Sequence, residues 1–214
     1  MADRKMAVEN IEGVTEKLPD SARGRYVKRL LAAYRGFYNI TPAEDLPGAG
    51  RPEGLLCRCD LDMKNAQYVL SRKNELWSAE SHEYAYVFTF PRLYEDLYRE
   101  LESYVYEEGM KLIHPGKGHM CSTLTLLVVC DECTPEAEKL LKKCRIHKNF
   151  RMSLDGWMDF HTALAVVKEK AAPDKAVPGT RHGLFGRKAS GRVVTNSSGH
   201  ENAKLMKQLL PKAG

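Results

Sequence analysis

Four groups of side chains in this sequence have the types and spacing to do chemistry. Cys130-Asp131-Glu132-Cys133 has the gap of a redox or metal-binding thiol pair. It directly precedes a helix start at Thr134-Pro135, and the positive end of a helix dipole lowers a thiol pKa. Cys57-Arg58-Cys59 would add two sulfurs, giving a four-cysteine site for zinc or an iron–sulfur cluster. Two features argue for plain packing instead. Residues i and i+2 of a strand share a face, as core cysteines do. A redox pair would also carry small or aromatic residues between its thiols, where this chain has Asp131-Glu132.

The second group is His114, His119, His147 and His161, all in the central part of the chain. Two of them with Asp131 or Asp159 would suit zinc or iron. No HxH or HxxxH spacing puts a pair on one element, so capping and packing roles compete. The third group is Glu107-Glu108, Asp131-Glu132, Lys148 and Asp155, a layout like that of restriction-endonuclease-like nucleases. Those enzymes hold Mg²⁺ with an Asp and a Glu-x-Lys on an adjacent strand. Glu169 between Lys168 and Lys170 falls beyond the last core strand, so that signature is missing. The fourth group is Arg181, Arg187, Lys188 and Arg192, cations for a phosphate backbone. Phe185 is the one aromatic among them, so base stacking is not indicated.

The elements that must position these groups follow from periodicity. A stripe of Tyr26, Val27, Leu30, Leu31, Tyr34, Phe37 and Tyr38 predicts a helix capped by Asp20 or Ser21. From Leu55 the period changes to two, with Leu55, Cys57, Cys59 and Leu61 on one side. Tyr68–Ser71, Leu76–Ser78 and Glu83–Phe90 read as further strands of an antiparallel meander. Pro91 closes the meander, and Leu93, Leu97 and Leu101 begin a helix that runs to about Leu112. Met120–Val129 is a nearly continuous apolar run, the mark of a central strand covered on both faces. Thr134-Pro135-Glu136 opens a second helix with a capping hydroxyl, proline in the first turn and acids at the positive dipole end. Phe150–Leu154 and Phe160–Val167 read as a closing hairpin turning at Asp155-Gly156.

Composition bounds the rest. The 214 residues carry a formal charge of +5, but residues 1–167 hold 23 Lys/Arg against 25 Asp/Glu. The basic excess therefore belongs to the tail and not to the folded part. Six cysteines in a chain of this length do not form a disulfide framework, so reduced thiols and a cytoplasmic setting are expected. No apolar run approaches the ~20 residues that span a bilayer, and the acidic N-terminus is unlike a signal peptide.

The segments G-H-M-C-S-T-L-T at 118–125, R-I-H-K-N-F at 145–150, D-G-W-M-D-F at 155–160 and H-E-Y-A-Y-V-F at 82–88 resemble a bacterial domain family of unknown function. The resemblance covers about residues 25–167 and extends to the V-V-T-N-S-S-G turn at 193–199. It implies a fold and a bacterial origin, and no reaction. Cys130 and Cys133 stand where that pattern has ordinary strand-end and loop residues, which counts against a shared thiol chemistry.

The expected fold is α+β: one mostly antiparallel mixed sheet with helices mainly on one face. Residues 1–50 form a helical segment and linker, 51–168 the core, and 169–214 a basic, flexible, Pro/Gly-rich tail with a short helix. The expected function is an intracellular, non-enzymatic module that binds a protein or small ligand at His119, Asp131, His147, Lys148, Trp157 and Asp159. A metal-dependent hydrolase or nuclease, and nucleic-acid binding through the tail, are the alternatives. No cofactor is required, and zinc at Cys57, Cys59, Cys130 and Cys133 is the one that the residues raise.

Overall fold

The computed structural model describes residues 13–48, 50–68, 75–169 and 189–211. Helix α1 (Ala22–Tyr34) starts where the Ser21 hydroxyl accepts from the Gly24 amide at 3.1 Å. Strand β1 (Asn39–Pro42) and a 3₁₀ turn (Ala43–Asp45) lead to β2 (Leu55–Tyr68) and β3 (Glu75–Leu93). Helix α2 (Glu95–Leu112), β4 (His119–Cys133), α3 (Pro135–Lys143), β5 (His147–Asn149) and β6 (Trp157–Glu169) follow, then β7 (Ala189–Thr195) and α4 (His200–Gln208). The sheet order is β1-β2-β3-β4-β6-β5, with β7 pairing the later half of β6 on the edge that β5 shares.

The mixed sheet is as expected, and its two parallel pairings, β3 with β4 and β4 with β6, lie at its centre. Right-handed crossovers that step the same way across a sheet put their helices on one face. That face, the first, carries α2 and α3 over Tyr86, Phe88, Leu124, Leu126, Phe160 and Leu164. The second face is covered by α1 and α4, through Tyr26, Leu30, Leu31 and Met206 against Val87, Leu127, Val129 and Ala165. Helices therefore stand on both faces, not mainly on one. β4 needs apolar side chains on both sides because each side meets a helix layer, and every residue from Leu124 to Cys130 is buried.

Several local expectations shift for physical reasons. The short strands expected between 68 and 78 belong to two long strands, with 69–74 outside the described residues. A register shift between Leu55 and Cys57 sends Leu55 to the first face and Cys57 to the second. β3 runs through Pro91, beyond the point where β2 pairs with it, so the missing N–H leaves no partner unmet on that side. The chain after Lys168 contributes β7 and α4 to the core, with Val194 and Met206 buried. Residues 170–188 lie outside the described residues.

The hairpin expected at Asp155-Gly156 is a longer turn, 150–156. Arg151, Met152 and Ser153 take left-handed backbone angles (φ 46°, 55° and 68°), so the strand expected at 150–154 does not form. Gly156 (φ 84°) closes the turn against β4. A Cβ there would stand 2.5 Å from His119 Nδ1 and against the Met120 carbonyl oxygen. Gly156→Ala adds left-handed strain to backbone overlap, a loss of roughly 2–4 kcal/mol. A urea-denaturation midpoint that falls accordingly checks it.

Candidate functional site

The end of the sheet where β4 and β6 begin carries most of the chemistry. On the second face, strand alternation and register bring three ladders together. Ser81, Cys121 and Trp157 form one; Glu83, Thr123, Asp159 and His147 the next; Ala85, Thr125 and His161 the third. The following ladder, Val87, Leu127 and Ala163, is apolar and buried. The change marks where the apolar helix cover stops. Cys121, Thr123, Trp157, Asp159 and His161 are left half-exposed, and this polar part of the face is termed the recess.

Each group in the recess is held from behind. Asp159 Oδ1 lies 2.7 Å from His147 Nδ1, and Asp159 Oδ2 accepts from the Trp157 indole N–H at 3.0 Å. The hydrogen bond between His147 and Asp159 raises the His147 pKa. Glu83 Oε1 accepts from the Thr125 hydroxyl (2.8 Å) and the Asn202 amide (2.9 Å), and Oε2 accepts from the Tyr38 hydroxyl (2.8 Å). Tyr34 donates to Asn202 Oδ1 behind them. Burial, reinforced by the Glu83 carboxylate, pushes both tyrosine hydroxyls well above their ordinary range. His161 feels both the Glu83 and the Asp159 carboxylates, but burial outweighs them and lowers its pKa. Its ring stays neutral near pH 7 and offers one donor and one acceptor. The Cys121 thiol donates to Ser81 Oγ at 3.4 Å.

These shifts have opposite signs in stability. His161 has a folded pKa below its ordinary 6.5, so the unfolded chain binds more protons there and stability is lost as pH falls through about 6.5. His147 has a folded pKa above 6.5, so its contribution is present at low pH and lost as pH rises through the folded value. Thermal melts from about pH 5 to about pH 8 check this across the histidine range. In His161→Asn the acid-side loss shrinks; in His147→Asn it deepens.

The residues singled out in the sequence divide. His147, Trp157 and Asp159 meet in this recess. His119 lies on the first face, where Nδ1 donates to the Asp155 carbonyl (2.8 Å) and Nε2 bonds Ser122 Oγ (2.9 Å), latching the 150–156 turn. Lys148 is exposed on that face, its Nζ 6.0 Å from the Phe150 ring centre. Asp131 is at the opposite end of β4, 3.1 Å from Arg23 Nε, with its pKa raised by burial against that cation. It does not join the others.

The cysteines do not converge either. Cys57 and Cys59, their sulfurs 3.9 Å apart, are buried on the second face, and Cys130 on the first, so the sheet separates the pairs. Burial pushes the Cys130 thiol up to about 12 and raises Cys133, the reverse of an activated thiolate. Among the described residues no group of three or more His, Cys, Asp or Glu is placed to hold a metal ion. Arg192 pairs with Glu138 at 2.5 Å, while Arg181, Arg187 and Lys188 lie outside the described residues. No described helix is long and apolar enough to cross a membrane.

A family model described as Domain of unknown function (DUF8052) matches residues 22–173, from the start of α1 to just past β6. No curated protein and no solved structure matches the chain.

Proposed function

We propose, for a chain that belongs to this domain-of-unknown-function family, a non-enzymatic binding module whose recess takes a small polar molecule. One observation carries the reading: the polar ladders His147–Asp159–Thr123–Glu83 and His161–Thr125 occupy the part of the second face where apolar cover ends. A covered surface would be apolar like the adjoining ladder, and on a merely solvated one the polar side chains would not need to be held in place as Asp159 and Glu83 hold theirs. Here a half-buried tryptophan ring, a neutral imidazole, a hydroxyl and a carboxylate face one space. Few, convergent polar groups beside an aromatic wall are what orient a small ligand. Binding is favoured over catalysis because the thiol in the recess bonds Ser81 and not a base. Asp131 and Glu132, at the other end of β4, cannot join Lys148 and Asp155 around a nuclease metal.

The test is an NMR titration of the full chain with nucleosides, monosaccharides and amino acids. The expected result is a saturable shift of the Trp157 indole N–H for one of these classes, abolished by His161→Ala. Saturable shifts confined to other surfaces, or none at all, would remove the reading.

A second reading rests on a different observation. Arg192, Lys139, Lys142 and Lys143 line an open groove of about 410 Å³ beside α3. Cations grouped this way suit a phosphate backbone, and with the basic tail they support nucleic-acid binding. Anisotropy of a labelled single-stranded oligonucleotide is then expected to show affinity that falls steeply with salt and weakens on Arg192→Ala. Salt-insensitive binding would exclude it.

A further inference from the structure

A second cavity opens on the first face, away from the recess. It is a groove of about 220 Å³ between the loop Leu46–Gly48, the last turns of α2, and the sheet residues Arg58 and Tyr86. The loop is held in place by Arg51, whose Nη1 donates to the carbonyls of Ala43, Glu44 (3.2 Å) and Leu46 (2.8 Å). Leu46, Pro47 and Leu112 give the groove apolar walls, and the Tyr104 ring meets Tyr86 edge-on at 6.1 Å.

Tyr86 is the unusual member. It is 1% exposed, and its hydroxyl oxygen is buried beside the Arg58 guanidinium, with no partner in full hydrogen-bonding geometry. An orphaned buried hydroxyl is unfavourable, and it persists where something else supplies the partner. Burial raises its pKa beyond reach at neutral pH, so it can only act as a protonated donor, although the nearby Arg58 cation pulls the other way. Arg58 points Nε and Nη2 at Asp60 (2.7 and 2.8 Å), which leaves Nη1 outside that fork. At the rim Lys111 is tethered to Glu108 at 2.6 Å.

We propose that this groove binds the carboxylate of a small organic acid, which takes the Tyr86 hydroxyl and the Arg58 guanidinium as donors and lays its apolar part along Leu46, Pro47 and Leu112. A planar acceptor with two oxygens matches two adjacent donors. The formal charges around the groove balance, Arg58 and Lys111 against Asp60 and Glu108. An anion is therefore held by the two donors rather than by net charge, and each further negative charge would meet the carboxylates without gaining another donor. The volume is below that of a drug-sized pocket, so the acid is small.

The test is a ¹H–¹⁵N NMR titration of the full chain with sodium benzoate, with benzamide as its neutral counterpart. Benzoate is expected to shift the amides of Leu46, Gly48 and Tyr86 saturably, and benzamide to bind about tenfold more weakly. Tyr86→Phe removes only the orphaned hydroxyl, so its melting temperature should equal or exceed that of the native chain, while benzoate affinity drops about tenfold. Equal binding of benzoate and benzamide, unchanged affinity in Tyr86→Phe, or no saturable shift at all would each overturn the proposal.

Discussion

Replacing Glu83 by alanine is expected to destabilise the protein by about 3–5 kcal/mol. The carboxylate accepts three hydrogen bonds, from Thr125 of β4, Asn202 of α4 and Tyr38 in the connection before β1. Hydrogen bonds to a charged acceptor are worth roughly 1.5–3 kcal/mol each, and they do not add fully when they share a centre. Truncation also strands the Tyr38 and Thr125 hydroxyls and the Asn202 amide, which then lack a charged acceptor. Glu83→Gln keeps the shape but turns one acceptor into a donor facing donors, so a loss of about 2 kcal/mol is expected. Chemical denaturation of both variants checks the order. Equal, small losses would mean that the network is solvated and that α4 is held by Met206 and its neighbours alone.

Asn196→Ala is expected to cost about 3 kcal/mol, by another route. The side chain is 1% exposed and satisfies four backbone groups. Its Nδ2 donates to the carbonyls of Cys144 (3.3 Å) and Phe160 (3.1 Å), and its Oδ1 accepts from the amides of Thr162 (3.2 Å) and Gly199 (3.0 Å). It thus joins the end of α3, the middle of β6 and the start of α4. Without it, four buried backbone groups lose partners, and α4 loses one of its ties to the sheet. Hydrogen exchange is the discriminating readout. Amides of α4 and β7 should exchange much faster in Asn196→Ala, while those at the centre of β4 follow only the global loss.

What was legible in the sequence was local. Thr134, Pro135 and Glu136 announce α3 because capping, a fixed φ and the dipole act within a few residues. The unbroken apolar run at Met120–Val129 announces a strand covered on both sides, as β4 is. The spacing of Cys57 and Cys59 announces a shared face, as both are buried on the second face. What was not legible depends on partners far along the chain. The alternation at 150–154 suits a strand, yet the latch of His119 on Asp155 and the approach of Gly156 to β4 bend it into a left-handed turn.

That α2 and α3 share one face follows from the parallel pairing of β3 with β4 and β4 with β6, which no local pattern encodes. For the recess, His147, Trp157 and Asp159 were visible as residue types. Glu83 and His161 gain their meaning from register: Glu83 faces Thr123 across the β3–β4 pair, and His161 faces Thr125 across β4–β6. A lone carboxylate in the aromatic strand E-Y-A-Y-V-F was the available signal for Glu83.

The central claim, that the uncovered part of the second face selects small polar molecules, is tested most directly at Cys121. This half-exposed thiol lies inside the recess, and Cys133, also half-exposed, lies outside it at the end of β4. Disulfide capture from a mixed library of polar and apolar fragment thiols, read by mass spectrometry, compares the two positions in one protein. Enrichment of polar fragments at Cys121 but not at Cys133, lost in His161→Ala, is the result expected. Capture at Cys121 with no preference, or with the same preference as at Cys133, would contradict the claim.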